Sequence, residues 1–246
     1  LISVDDKNTE KALAIACRTM AAIIELGDYE QDKTLVFKVK TIPFLNRIDF
    51  FDITLETKDS RSNWISIKNL AASISYLVQR LFENNRDNKD FLIKFYDTYF
   101  RNMPDCRSMW RLQLYVMSLC PGVFQDELKQ SFSRLFTVIE AGQNYQVILL
   151  GTEYKKALKK SFAIFDSNYQ QAFIRHVFRY FEAIAQATKE DKHKDSAWQI
   201  LSSICGHLTE QEKEKCETMF GEKCDPNFTP LVPRITGSAH YVLEIG

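Results

Sequence analysis

Glycine and proline are scarce in this chain, with 8 and 6 copies among 246 residues. β-Sandwiches and β-barrels need many turns, and turns depend on these two residues, so the scarcity argues against both architectures. The hydrophobic fraction of 45% is that of an ordinary globular protein, which argues against intrinsic disorder. A chain with few turns and enough apolar residues for a core is predicted to consist of helices.

The chain also lacks an excess of either charge, since 32 Lys and Arg balance 32 Asp and Glu. A dedicated nucleic-acid-binding domain usually carries net positive charge, so composition gives that function no support. Neither G-x-x-x-x-G-K-[ST] nor G-x-G-x-x-G occurs, and scattered glycines cannot build a phosphate-binding loop of either kind. The sequence therefore predicts no nucleotide cofactor, and nothing else in it indicates another cofactor.

Targeting and membrane segments are missing as well. Residues 1–6 have neither the basic region nor the apolar run of a signal peptide. No apolar stretch reaches the roughly 18 residues of a membrane-spanning helix. Most of the six cysteines fall in apolar helical patterns, which favours a reducing intracellular compartment, cytoplasmic or nuclear. Because the first residue is not methionine, we expect the chain to be part of a longer protein.

Apolar residues recur at intervals of three and four along most of the chain, which is the spacing of amphipathic helices. Two helix starts carry the pattern of a capping box, Ser167 with Gln170 and Thr209 with Glu212. Short loops between successive helices make neighbours antiparallel. The predicted helices are 9–26, 64–84, 89–101, 108–120, 124–141, 153–165, 169–187, 196–207 and 210–220. Residues 143–150 are predicted to form a short helix or a turn.

Residues 28–57 are less regular. Residues 35–40 and 48–55 partly alternate between apolar and polar side chains, as strands do, on either side of Pro43. Phe37, Phe44 and Leu45 also fit one face of a helix that Pro43 would break. We favour short helices here, because a lone hairpin needs a sheet to join. A minor β-hairpin near residues 35–55 is the alternative.

Two pairs of short segments in the chain are similar. Residues 127–132 (ELKQSF) match 157–162 (ALKKSF), and residues 118–120 (SLC) match 203–205 (SIC), 85 positions further on. The second separation is about two units of a roughly 42-residue repeat, the size of paired-helix repeats. The pattern resembles HEAT/armadillo-type α-solenoids. We therefore expect an all-α fold of antiparallel helical hairpins, forming a short α-solenoid or an irregular helical bundle.

The domain organisation predicted from these patterns is simple. Residues 1–221 form one helical-hairpin domain. Pro226, Pro230 and Pro233 mark residues 222–246 as an extended tail, which we expect to be a linker to a further domain. Within the domain, the aromatic-rich stretch 154–187 is predicted to organise the core, because its Phe and Tyr residues fall mainly on the inner faces of two helices.

A basic cluster lies on the outer side of the same stretch. Four lysines fall on one face of the helix 153–165, and two arginines of the next helix could extend that face. Such residues bind phosphate groups with salt-dependent affinity, and they also bind acidic protein surfaces. A solvated helix face without a ligand is the alternative. The candidate site residues are Lys155, Lys156, Lys159, Lys160, Arg175 and Arg179.

Metal and catalytic signatures are weak. Cys205, His207, Cys216 and Cys224 lie close together in the sequence but lack the spacing of a compact zinc site. The other cysteines and histidines have no local signature of a nucleophile, such as G-x-S-x-G. We therefore predict no metal ligand and no catalytic residue.

The function that best fits such a fold is binding of other proteins, because stacked helix pairs present extended surfaces without catalytic residues. We expect a non-enzymatic protein-protein interaction or scaffold module of a larger intracellular protein. One alternative is a helical domain that contacts nucleic acid through the basic cluster. Another is part of an enzyme whose active site is completed by sequence outside this chain.

Overall fold

The computed structural model describes residues 6–26, 37–39, 42, 45, 48–53, 63–140, 152–187 and 192–229. Within these ranges the regular secondary structure is helical and no strand is present, which confirms the predicted all-α fold. Short 3-10 turns follow the sixth and eighth helices, at Phe162–Ile164 and Cys205–His207. The helices are α1 (Asp6–Leu26), α2 (Asn63–Asn84), α3 (Lys89–Tyr99), α4 (Arg107–Met117), α5 (Gln125–Glu140), α6 (Thr152–Ser161), α7 (Ser167–Ala187), α8 (Lys192–Ser203) and α9 (Glu210–Phe220).

Successive helices alternate between two layers. In one layer α2, α4, α6 and α8 contact each other in that order. In the other, Tyr99 of α3 donates a hydrogen bond to Glu10 of α1, α5 packs against α7, and Phe178 of α7 stacks on Phe220 of α9. Contacts of α1 with α2, α4 with α5, and α7 with α8 join the layers. Helical bundles and α-solenoids share this arrangement of antiparallel hairpins.

Aromatic side chains fill the space between the layers. Phe132 of α5 is fully buried and packs edge-to-face against Tyr154, Phe165 and Phe173, with ring centroids 5.2 to 6.5 Å apart. Edge-to-face pairs add to the free energy gained by burying the rings themselves. Most of the inward-facing aromatics predicted in the stretch 154–187 are buried, namely Tyr154, Phe162, Phe165, Phe173, Phe178 and Phe181.

One of the two predicted capping boxes is confirmed. The Thr209 hydroxyl accepts a hydrogen bond from the Glu212 backbone N–H, and the Glu212 carboxylate accepts one from the Thr209 N–H. The prediction at Ser167 is wrong, because Asp166 caps α7 by accepting a hydrogen bond from the Tyr169 N–H at 2.9 Å. A carboxylate in this position also interacts favourably with the helix dipole. The glutamine of the predicted box donates instead to two carbonyl groups just before the helix.

The residues described between α1 and α2 form turns. The Leu45 N–H donates to the Ile42 carbonyl in a 3-10 turn, and the Asp52 N–H donates to the Asp49 carbonyl in a second turn. No β-hairpin is found among residues 37–39, 42, 45 and 48–53, and the 3-10 turn is the helical element seen there. The rest of that stretch, together with the predicted helix or turn 143–150, lies outside the described residues.

Residues 222–229, the described part of the predicted tail, follow α9 without regular secondary structure. This segment packs back onto the fold, because the Trp198 Nε1–H of α8 donates to the Lys223 carbonyl at 2.8 Å. The Trp198 ring also meets Phe228 edge-on. Residues 230–246 of the predicted tail lie outside the described residues. None of the described helices combines the length and apolarity needed to cross a bilayer.

Candidate functional site: the lysines of α6

The four lysines of the predicted basic cluster separate into two pairs. Residues four apart lie on the same side of a helix, so Lys155 lies beside Lys159, and Lys156 lies beside Lys160. The two pairs approach different segments of the protein.

Lys155 and Lys159 face α8 and the segment after α9. The Lys155 ammonium donates a hydrogen bond to the side-chain carbonyl of Gln199 on α8. The Lys159 ammonium donates to the backbone carbonyl of Phe228 at 2.6 Å. Burial lowers the pKa of Lys155, and nearby carboxylates oppose that shift. This pair therefore helps to hold the C-terminal part of the fold against α6.

Lys156 and Lys160 face the turn 49–52, which is the turn before α2. The Lys156 ammonium forms ion pairs with Asp49, at 2.8 Å, and with Asp52. The Lys160 ammonium lies 4.5 Å from the ring centroid of Phe51, within reach of cation–π attraction. Burial lowers the pKa of Lys156, but its bonds to the two aspartates outweigh burial and leave that pKa raised. Burial and the charge of Lys156 lower the pKa of Lys160.

Arg175 and Arg179 are exposed on α7 and are also four residues apart. This helix packs mainly against α5 and α8, whereas α6 packs mainly against α4 and α8. The six predicted residues are thus arranged as three pairs of cations, and both pairs on α6 contact groups within the protein.

A buried ion pair beneath the lysines was not among the predicted residues. The side chains of Arg111 on α4 and Glu153 on α6 are 2% and 0% exposed, and the Arg111 Nη2 lies 2.6 Å from Glu153 Oε2. Arg111 Nη1 donates to the Leu45 carbonyl at 3.0 Å, and Nη2 donates to the Ile48 carbonyl. The second carboxylate oxygen, Oε1, accepts a hydrogen bond from the Phe50 N–H at 2.7 Å.

This ion pair fixes the turn before α2 onto α4 and α6. Three backbone groups in and beside the turn, the Leu45 and Ile48 carbonyls and the Phe50 N–H, bond to the two charged side chains, as buried backbone groups outside helices and strands require. Burial raises the pKa of Glu153, while the charge of Arg111 opposes that shift. Burial also acts to raise the pKa of Asp49, but hydrogen bonds from the Lys156 ammonium and the Phe51 N–H hold it below its ordinary value.

The sequence carries one signal that could have pointed to Arg111. It lies within the apolar run MWRLQLYVM of α4, a helix that contains no acidic residue. A buried arginine needs a counter-charge, so the partner had to come from another helix. Nothing in the sequence singles out Glu153, because its separation of 42 residues is set by the packing of α4 on α6.

A small cavity borders Lys160. Its volume is about 200 Å³, and its lining includes Phe82, Arg86, Leu119 and Cys120. Pockets for small-molecule ligands usually have volumes of roughly 300–1,000 Å³. Among the described residues, no three His, Cys, Asp or Glu side chains are arranged to hold a metal ion. The site is therefore characterised by its ionic contacts.

Comparison with known proteins gave no match to a family model, to a curated protein or to a solved structure. The resemblance to HEAT/armadillo-type α-solenoids accordingly stays at the level of the helix arrangement.

Changing Glu153 to Gln tests the buried ion pair. This substitution leaves Arg111 charged, buried and without its counter-charge, so we expect the free energy of unfolding to fall by about 3–5 kcal/mol. Urea denaturation measures the change. The matched control is Arg101→Met, because Arg101 forms exposed ion pairs, and such pairs contribute less than about 1 kcal/mol. Equal small effects of both substitutions would contradict the proposed role of the pair.

Changing Asp49 to Asn tests the pH dependence of the contact with Lys156. Folding lowers the pKa of Asp49, so its stabilisation is present above its unfolded-state pKa of about 3.9 and is lost as the pH falls through the folded-state value. We expect Asp49→Asn to cost about 2 kcal/mol at neutral pH and progressively less below pH ~4.

Urea denaturation of the Asp49→Asn variant and the wild type between pH 7 and pH 3 checks this. The control is Asp52→Asn, because the Asp52 side chain is 66% exposed although it shares Lys156. Its loss is expected to stay below about 1 kcal/mol. A difference between wild type and Asp49→Asn that does not shrink on acidification would show that the carboxylate charge is not responsible.

Proposed function

We propose that this chain is a non-enzymatic protein-protein interaction module that binds an amphipathic helix of a partner along the outer face of α1. The observation that carries the proposal is the exposure of large apolar side chains on that face. Ile15 is 63% exposed and Leu26 is 86% exposed. Single exposed apolar residues are common on protein surfaces, so their alignment along the helix is what matters.

The exposed residues of α1 follow the spacing of a coiled-coil seam. Positions 12, 15, 19, 22 and 26 alternate between steps of three and four, which places them in one line along the helix. The opposite side of α1 is occupied by Leu13, Met20 and Ile24, which are buried in the core. The helix therefore carries two apolar stripes, and the outer one consists of Ala12, Ile15, Thr19, Ala22 and Leu26, all but Thr19 apolar and all exposed.

Charged residues border this outer stripe on one side. Lys11, Arg18 and Glu25 lie seven residues apart, so they form a line beside the seam, and all three are exposed. Residues next to a coiled-coil seam pair with opposite charges on the partner helix. The complementary partner has an apolar stripe edged by two acidic residues and then a basic one.

The all-α arrangement in alternating layers fits this role, because such layers of helices leave long outer faces available to partners. A reducing intracellular location also fits, because all six cysteines are buried thiols. Free thiols persist in reduced compartments.

Binding of a designed peptide tests the α1 interface. The probe is a fluorescent helical peptide of about three heptads with Leu in the seam and Glu, Glu and Lys along the facing edge. We expect it to bind, and we expect Ile15→Asp to weaken binding at least about tenfold, because a central apolar contact is lost. Fluorescence anisotropy measures both affinities.

Two controls accompany this experiment. Ile93→Asp places the same substitution at an isoleucine of α3 that is 40% exposed, and it should leave the affinity unchanged. A peptide with Lys, Lys and Glu along the edge should bind more weakly than the first. Failure of the first peptide to bind, or equal binding by Ile15→Asp, would refute the α1 interface. Dimerisation abolished by Ile15→Asp would instead identify a second copy as the partner.

The nucleic-acid alternative has less support, because the lysines of α6 bond to groups within the protein. A phosphate would have to replace the Asp49 and Asp52 carboxylates at Lys156, and the Phe228 carbonyl at Lys159. We therefore expect no salt-dependent binding in titrations with duplex DNA and with RNA between about 50 and 200 mM salt. Steep salt dependence, abolished by Lys159→Glu with Lys160→Glu, would contradict this and favour the alternative. Arg175→Glu with Arg179→Glu examines the exposed pair on α7 in the same assay.

A further inference from the structure

Three cysteines meet where α8, α9 and the following segment join. Cys216 lies on the inner face of α9, Cys224 lies in the segment after it, and Cys205 lies in the 3-10 turn after α8. The Sγ atoms of Cys216 and Cys224 are 2.9 Å apart. A disulfide has an S–S distance of about 2.0 Å, so these two atoms need to move by only about 1 Å to be joined. We infer that Cys216 and Cys224 form a reversible disulfide when the protein meets a peroxide.

Cys205 is part of the cluster but has a different contact. Its thiol donates a hydrogen bond to the backbone carbonyl of Cys224, with the sulfur 3.7 Å from that oxygen. The thiol is therefore directed at the backbone, whereas the other two sulfurs face each other. This difference makes Cys216 and Cys224 the reacting pair and makes Cys205 an internal control.

The environment assigns the first reaction step to Cys224. Its residue is 8% exposed and outside any helix, whereas Cys216 is 0% exposed. Contact with the Cys216 sulfur lowers the pKa of Cys224, against the effect of burial. The same contact, together with burial, raises the pKa of Cys216. The thiolate is the reactive form of cysteine, so Cys224 is the attacking residue and Cys216 the resolving one.

The reaction with hydrogen peroxide balances in two steps. In the first, the Cys224 thiolate attacks one peroxide oxygen, an S–O bond forms, the O–O bond breaks, and hydroxide leaves to become water. In the second, the Cys216 sulfur attacks the sulfenic acid, the S–S bond forms, the S–O bond breaks, and the thiol proton leaves with the hydroxyl as water. Two thiols and one peroxide thus give one disulfide and two waters. A small dithiol reductant reverses the change by thiol–disulfide exchange.

The bond would fix a segment that several side chains already contact. The Asp225 N–H donates to the Ser202 hydroxyl at 3.3 Å, Trp198 donates to the Lys223 carbonyl, and Lys159 of α6 donates to the Phe228 carbonyl. Oxidation would add a covalent link from this segment to α9. Cys216 and Cys224 lie far from α1 in the sequence. Their oxidation does not depend on the proposed helix-binding surface.

The test is oxidation of the reduced, folded chain with hydrogen peroxide, followed by alkylation of the remaining thiols and mass spectrometry. Trypsin cuts between the two cysteines after Lys223, so a disulfide links the peptides 216–223 and 224–234. We expect that linked pair as the main product, with a loss of two hydrogen masses. The melting temperature should rise by about 3 °C on oxidation and return on reduction.

Matched variants separate the roles of the three cysteines. Cys205→Ser should still form the disulfide. Cys216→Ser should stop at the sulfenic acid of Cys224, detected by its dimedone adduct, and Cys224→Ser should leave Cys216 unreacted. The wild-type chain contains its own reference in Cys17, Cys106 and Cys120, which are buried elsewhere. These three thiols should remain reduced and should react with the alkylating agent only after the chain is unfolded. Without the linked peptide in the folded wild type, or with random pairing among all six cysteines, the inference fails.

Discussion

The buried ion pair between Arg111 and Glu153 is the contact on which the irregular part of the fold depends. Removing two charges from water is costly, and their mutual attraction compensates only when the remaining hydrogen-bonding groups are satisfied. Here they are satisfied by the Leu45 and Ile48 carbonyls and the Phe50 N–H, in and beside the turn before α2. Apolar side chains of equal size would avoid the desolvation cost but would leave those backbone groups without partners. The pair is therefore a means of anchoring a segment that has no helix or strand of its own.

The position of that turn determines the environment of the α6 lysines. Once the turn is held, Asp49 and Asp52 lie beside Lys156, and Phe51 lies beside Lys160. The other side of α6 contacts α8 and the segment after α9, and Lys159 reaches the Phe228 carbonyl there. A short helix with four lysines thus joins two irregular segments that are far apart in the sequence. Local charge density in a sequence need not mark a ligand site, because the counter-charges can come from distant residues of the same chain.

Features that depend only on neighbouring residues within one helix could be predicted from the sequence. Apolar residues spaced three and four apart predicted the helices and their buried aromatics. The capping box at Thr209 was predicted from its two residues. The start of α7 shows the limit of local patterns, since two adjacent residues, Asp166 and Ser167, could each cap it. Contacts between Arg111 and Glu153, or Lys156 and Asp49, were beyond reach because they depend on which helices become neighbours. The contact of Cys216 with Cys224 spans only eight residues, yet it depends on the path of the chain after Gly221, whose φ of 85° turns it back.

Helices α1 and α4 differ in how their apolar residues are exposed. Helix α4 is buried on nearly every side, and its apolar residues accordingly lie all around the helix. Helix α1 packs against α2 on one side, yet it also carries Ile15 and Leu26 on the opposite side, where charged residues would increase solubility. An exposed line of apolar residues is a cost to an isolated domain and a gain to a domain that is covered there. The regular seven-residue spacing of Lys11, Arg18 and Glu25 beside that line adds a register, which a nonspecific hydrophobic surface would not need. Together these features support the proposal that a partner helix binds α1 in one register.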